Sequence, residues 1–257
     1  MMTPTVTNRN WITLETPLRP LVLFRNTFAA IWLLYDLIDL VTGQTQNWSL
    51  VTQGFPVTGL RISLCVLIAC EAGLLLGWRP RTMAFCAFLA RGFEAWIFGL
   101  NDFYYFSVAA LILTQFDYEK PRAWPRDVLI LQTAWIYFAS ALLKASQPFL
   151  SGGYYFVRQN YVAAVLPLPF PDFYRSFIST LQGNSVLAYA TVVSEMSLAL
   201  TLIAWWAWPD RRVRLRIVAI ALAVGIHGFA ACTADVFFFG ASLVAQIALL
   251  TYEPSMH

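Results

Sequence analysis

The sequence predicts an all-α fold: a polytopic integral membrane helical bundle of about eight transmembrane helices, with a short interfacial helix in the 148–184 connection. Three observations predict it. Hydrophobic residues make up 59% of the 257 and charged residues only 12%, with a mean hydropathy of +0.61, far from the mix of an ordinary soluble domain. The apolar residues fall into eight blocks, each near the roughly 20 residues that one bilayer crossing takes. The basic residues gather on every second connection.

The blocks run over about 20–42, 57–78, 82–99, 102–117, 128–147, 185–208, 213–233 and 236–252. The first follows Arg9 and Arg19, and Arg79 and Arg81 join the second to the third. Lys120, Arg122 and Arg126 separate the fourth from the fifth, and Arg211, Arg212, Arg214 and Arg216 lie between the sixth and the seventh. Eleven basic residues therefore share one side, against Arg158 and Arg175 on the other. The positive-inside rule then puts both termini in the cytoplasm and the protein in the plasma (inner) membrane. The seventh and eighth blocks are divided only by "CTADVFFFGASL", where Asp235 and Gly240 mark the turn.

The largest extracytoplasmic connection, 148–184, carries Pro167, Pro169 and Pro171, which forbid a regular helix through their own stretch. Phe173, Phe177 and Leu181 then recur at helical spacing after Asp172, as in a helix lying on the interface. It reads as an aromatic belt or as a lid. A single domain covers residues 1–257, with no separate soluble domain and no cleaved signal peptide expected. Cys65, Cys70, Cys86 and Cys232 lie inside apolar segments without ligand spacing, so they read as buried thiols. No metal site is expected, and the basic clusters are explained by membrane orientation, so no nucleic-acid partner is either. Intramembrane charges also line transport paths, but no paired broken helices or inverted repeat point to a transporter.

Function is to be sought among charges inside the spans, each costing about 2.5–3.5 kcal/mol on the insertion scale. Counting about 1.5 Å per residue gathers Asp36, Asp39, Arg61, Asn101, Asp102, Lys144 and His227 toward the outer side, and Arg25 and Glu71 toward the cytoplasm. Lys144 either snorkels to the headgroups or stands in a dry cavity as a base or nucleophile. His227 is either a hydrogen-bonded core residue or part of that cavity. Arg91 and Glu94, three apart, neutralise one another, and Glu195 pairs with a basic group or stays protonated. Asp36 and Asp39 read most simply as closing a helix end.

Five segments carry a resemblance: "LFRNTFAAIWLLYDL" (23–37), "GLNDFYYFSVAALIL" (99–113), "IYFASALLKASQPFLSGGYY" (136–155), "SEMSLALTLI" (194–203) and "HGFAACTADVFFFGASLVAQIALL" (227–250). In this order they resemble the vitamin K-dependent gamma-carboxylase-like, or horizontally transferred transmembrane domain (HTTM), family over most of residues 20–250. The resemblance implies a quinol-dependent oxidation or carboxylase-like enzyme in which Lys144 starts the oxygenation of a reduced quinol, as base or as its activator. It implies Lys144, His227 and Asp102 as catalytic residues and Asn101 and Tyr137 against a menaquinol-like quinol. Where the carboxylase has Asn-His, this chain has Asn101-Asp102, and the carboxylase's lumenal domain has no counterpart in these 257 residues. Gamma-carboxylation of a protein glutamate is therefore not expected.

Two non-enzymatic readings stand beside the enzyme. One is a membrane partner that holds a peptide during toxin maturation. The other is a structural subunit of a larger membrane complex, with Trp205, Trp206 and Trp208 anchoring the inner interface.

Overall fold

The computed structural model describes residues 16–43, 57–98, 101–151, 180–233 and 237–252. Among them run eight helices of thirteen residues or more: α1 (Leu18–Thr42), α2 (Val57–Leu76), α3 (Pro80–Phe98), α4 (Asn101–Leu113), α5 (Ala123–Lys144), α6 (Leu181–Ala207), α7 (Arg212–Thr233) and α8 (Phe237–Leu250). Each coincides with one apolar block, with ends shifted by at most five residues. Four are long and apolar enough to cross a membrane: Leu18–Thr42, Thr58–Leu76, Ala123–Lys144 and Asn184–Ala207. The other four differ for visible reasons. Arg81, Arg91 and Glu94 interrupt α3, and Arg212, Arg214 and Arg216 open α7. With 13 and 14 residues, α4 and α8 are only about 20 Å long.

Two placements differ from expectation at the 148–184 connection. Lys144 is the last residue of α5, which stops three residues before the predicted 147, and a single turn, Gln147–Leu150, follows it. A cation in the last turn complements the helix dipole. Leu181, expected on the interfacial helix, instead opens α6. The rest of that expected helix, with Phe173 and Phe177, lies outside the described residues.

Large apolar side chains point outward from most helices, including Val41, Leu76, Trp96, Leu143 and Val213, as suits a chain surrounded by lipid. Cys65 is among the exposed positions, contrary to its reading as a buried thiol, whereas Cys70 is buried. Trp205 is fully buried and therefore packs in the core, while Trp206 and Trp208 remain outward.

The chain forms two compact units, Met1–Leu129 with Glu253–His257, and Ile130–Tyr252. In the first, α1 packs on α2, α2 on α3 and α3 on α4. Pro17 stands just before α1 and Pro20 in its first turn, where the missing N–H costs nothing. The connection from α2 to α3 is three residues long, and it is short because Gly77 (φ 71) and Arg79 (φ 41) both turn left-handed. Gly77 N–H donates to Leu74 O at 3.1 Å and Trp78 N–H to Gly73 O at 2.9 Å, closing the helix end. The core is an aromatic column in which Phe28 stacks on Phe106 at 4.9 Å and Trp32 meets Phe106 edge-on at 5.0 Å.

In the second unit α6 packs on α7 and α7 on α8. Arg216 Nη2 donates to Ala248 O at 3.2 Å, and a Cβ on Gly240 would meet His227, so α7 and α8 run antiparallel. At the arginine-rich end, Arg212 lies over the Trp205 ring at 4.6 Å and donates to Trp205 O at 3.2 Å.

Candidate functional site

Helix α5 carries Thr133, Tyr137 and Lys144 at offsets of four and seven, which place all three on one face. Each finds its partner on a different helix of the second unit. Thr133 Oγ1 accepts from Gln246 Nε2 of α8 at 2.6 Å, and both are buried. Tyr137 Oη is 2.5 Å from His227 Nε2 of α7, and the His227 tautomer decides which of them donates. The Lys144 ammonium donates to Glu195 Oε1 of α6 in a close ion pair. The three pairs form a polar ladder of about 16 Å, rising along α5 away from the arginine-rich end of the unit.

The top rung is the chemically open one. The Lys144 side chain is 31% exposed and that of Glu195 6%, so the amine is held by a protein carboxylate rather than reaching freely into the surroundings. Glu195 Oε2 is buried and has no hydrogen-bond partner among the described residues. A buried carboxylate oxygen left unsatisfied is costly unless something else occupies it. The ammonium also lies within electrostatic range of His227, which ties the top rung to the middle one.

What the arrangement offers chemically is one unfilled acceptor, Glu195 Oε2, with the Tyr137–His227 pair below it on α5.

Of the residues the sequence singled out, Tyr137, His227 and Lys144 share this ladder. Asn101 and Asp102 open α4 in the first unit, and their side chains lie outside the described residues. For Glu195 the sequence leaves two readings, pairing with a basic group or a protonated acid, and the structure pairs it with Lys144. Its role was findable: it is the one acid of α6, in a span that faces a helix ending in an otherwise uncompensated lysine. Gln246 and Thr133 had no such signal, since a lone amide and a hydroxyl do not stand out in apolar helices.

A second polar cluster is buried in the first unit. Arg91 Nη2 lies 2.6 and 2.5 Å from the two oxygens of Asp36, and Nη1 donates to Glu94 Oε2 at 2.8 Å. Glu71 Oε1 is 3.6 Å from the same Nη2. The guanidinium is bounded by the rings of Phe103 at 4.7 Å, Phe106 at 4.9 Å and Trp32 at 5.3 Å. This corrects two expectations: Asp36 is a buried ion-pair partner rather than a helix-end residue, and Glu71 stands with it rather than on the opposite side. Helices entering at different levels, joined by a long arginine side chain, defeat a depth count made one helix at a time. The Arg91–Glu94 pairing is present as expected.

No protein-family model matches the sequence, and comparison with curated proteins and with solved structures finds no match.

Proposed function

We propose that the chain is an eight-span plasma (inner) membrane protein of the HTTM, vitamin K-dependent gamma-carboxylase-like family, with both termini cytoplasmic. We further propose that it acts as an enzyme on a menaquinol-like quinol at the extracytoplasmic end of its second unit. The single observation that carries the enzymatic reading is Glu195 Oε2, a buried acceptor without a partner on the carboxylate that pairs with Lys144. Eight helices at eight apolar blocks support the span count, and short spans such as α4 and α8 are accommodated by local thinning of the bilayer.

A bound quinol would supply a hydroxyl proton and, to dioxygen, its two electrons. Glu195 Oε2 accepts the hydroxyl's hydrogen bond. Transfer of one Lys144 proton to Glu195 Oε1 leaves a neutral amine; the hydroxyl proton then moves to Oε2 as the Oε1 proton returns to the amine, so the hydroxyl O–H bond breaks, an O–H bond forms at Oε2, and the pair gains one proton. Because the pair begins net neutral, that step puts no unbalanced charge into low dielectric until substrate arrives. The Tyr137–His227 pair orients the far side of the ring.

The test is turnover of reduced menaquinone by the purified chain under oxygen. Glu195→Gln and Lys144→Met should each abolish it, and wild-type rates in either variant would end this reading.

The charge compensation at Lys144 also favours a second reading, in which the pair only fastens α5 to α6. The chain would then be a non-enzymatic partner in peptide (toxin) maturation or a structural subunit. A Lys144→Met/Glu195→Leu chain separates the two. Intact assembly with lost turnover supports the enzyme, whereas a stoichiometric peptide or membrane-protein partner that copurifies with a quinol-inactive wild type supports the scaffold.

A further inference from the structure

Three carboxyl groups converge on one guanidinium inside the first unit: Asp36 from α1, Glu71 from α2 and Glu94 from α3, all buried with Arg91. Fully ionised, the cluster would carry two negative charges in excess, shut away from water behind aromatic rings. Burial of uncompensated charge on this scale does not persist; the charge is neutralised or ligated instead. Among the described residues, the groups beside the cluster include a further acid, Asp39 on α1, the Cys70 thiol and the Ser63 hydroxyl on α2, and the Phe103 and Phe106 rings on α4. No three His, Cys, Asp or Glu residues among those described are arranged to hold a metal ion.

The hydrogen-bond pattern identifies what is bound. Arg91 gives its Nη1 to Glu94 and its Nη2 to Asp36, which satisfies those two carboxylates. Neither oxygen of Glu71 has a hydrogen-bond donor among the described residues, although Glu71 Oε1 and Asp36 Oδ2 face the same Arg91 Nη2, at 3.6 and 2.5 Å. Two carboxylates gathered on one nitrogen repel each other unless a proton lies between them.

We propose that Asp36 and Glu71 form an intramembrane proton-binding site, in which Glu71 carries a proton at neutral pH and donates it to the Asp36 carboxylate that Arg91 holds. The proton gives Glu71 a hydrogen bond that it otherwise lacks and removes one of the cluster's two excess charges. The site lies wholly in the first unit and is independent of the quinol reading.

Infrared spectroscopy of the full chain in lipid nanodiscs reads it directly. At neutral pH the wild type should show the C=O stretch of a protonated carboxyl, shifted in D2O. Glu71→Gln should lose one carboxyl's amplitude from that band and keep the wild-type thermal midpoint, because glutamine copies the size and the hydrogen-bond donation of protonated glutamate. Absence of the band in wild type, undiminished amplitude in Glu71→Gln, or failure of Glu71→Gln to fold would each overturn the proposal.

Discussion

Gly240 of α8 lies directly against the ring of His227 on α7: a Cβ there would fall 2.7 Å from Nδ1 and 2.9 Å from Cγ. The imidazole that meets Tyr137 is thus held from behind by a backbone that only glycine allows so close. Gly240→Ala should force the ring off Tyr137 and destabilise the chain by about 1–3 kcal/mol, as overpacking does. His227→Ala empties the space, so the double variant should be no less stable than His227→Ala alone. Thermal unfolding of the four chains in one detergent checks this.

For the Lys144–Glu195 pair, stability and chemistry should separate. An interhelical polar contact in a membrane protein couples by about 0.6–1.7 kcal/mol. A double-mutant cycle of Lys144→Met and Glu195→Leu should therefore return a coupling of about 1 kcal/mol, while either single change abolishes quinol turnover. Coupling indistinguishable from zero would mean that the ion pair does not form in the membrane.

Arg91 should be the most sensitive position of the first unit. Its removal leaves Asp36 and Glu94 without their donor in a closed site, and breaking a buried pair from one side costs about 3–5 kcal/mol. Arg91→Met should reduce yield and thermal stability severely. Asp36→Asn combined with Glu94→Gln in the Arg91→Met background should recover much of the loss.

The turn between α4 and α5 supplies a pH test. Asp117 accepts from Lys120 N–H at 3.1 Å and Glu119 N–H at 3.0 Å. These hydrogen bonds, Lys120's first and Glu119's next, hold its carboxyl below the usual carboxylate range. The folded state thus favours the ionised form, so the contribution is present above the unfolded value and lost as pH falls through the lowered one. The stability of wild type relative to Asp117→Asn should be level near neutrality and shrink only in acid. Unfolding midpoints of both chains along a pH series test this, and a gap that widens in acid would contradict it.

Much of the fold was legible one segment at a time. Hydropathy blocks between arginine-bearing turns located all eight helices, because apolar length and turn charge are local properties of the chain. The same local reading placed Lys144 near a helix end and paired Arg91 with Glu94, since residues three apart on a helix meet wherever the helix goes. It failed for Leu181 and Cys65, where neither proline punctuation nor apolar neighbours say which helix begins or which face turns outward.

The sequence by itself determined an all-helical membrane chain, the positions of its main helices and the few charges that had to be met inside them. Tertiary structure decided which charges meet: Glu195 for Lys144, His227 for Tyr137, Asp36 and Glu71 for Arg91. Those choices depend on the level and rotation at which each helix packs. An apolar helix can rotate against its neighbours without changing its own hydropathy, so only the packed side chains select one arrangement.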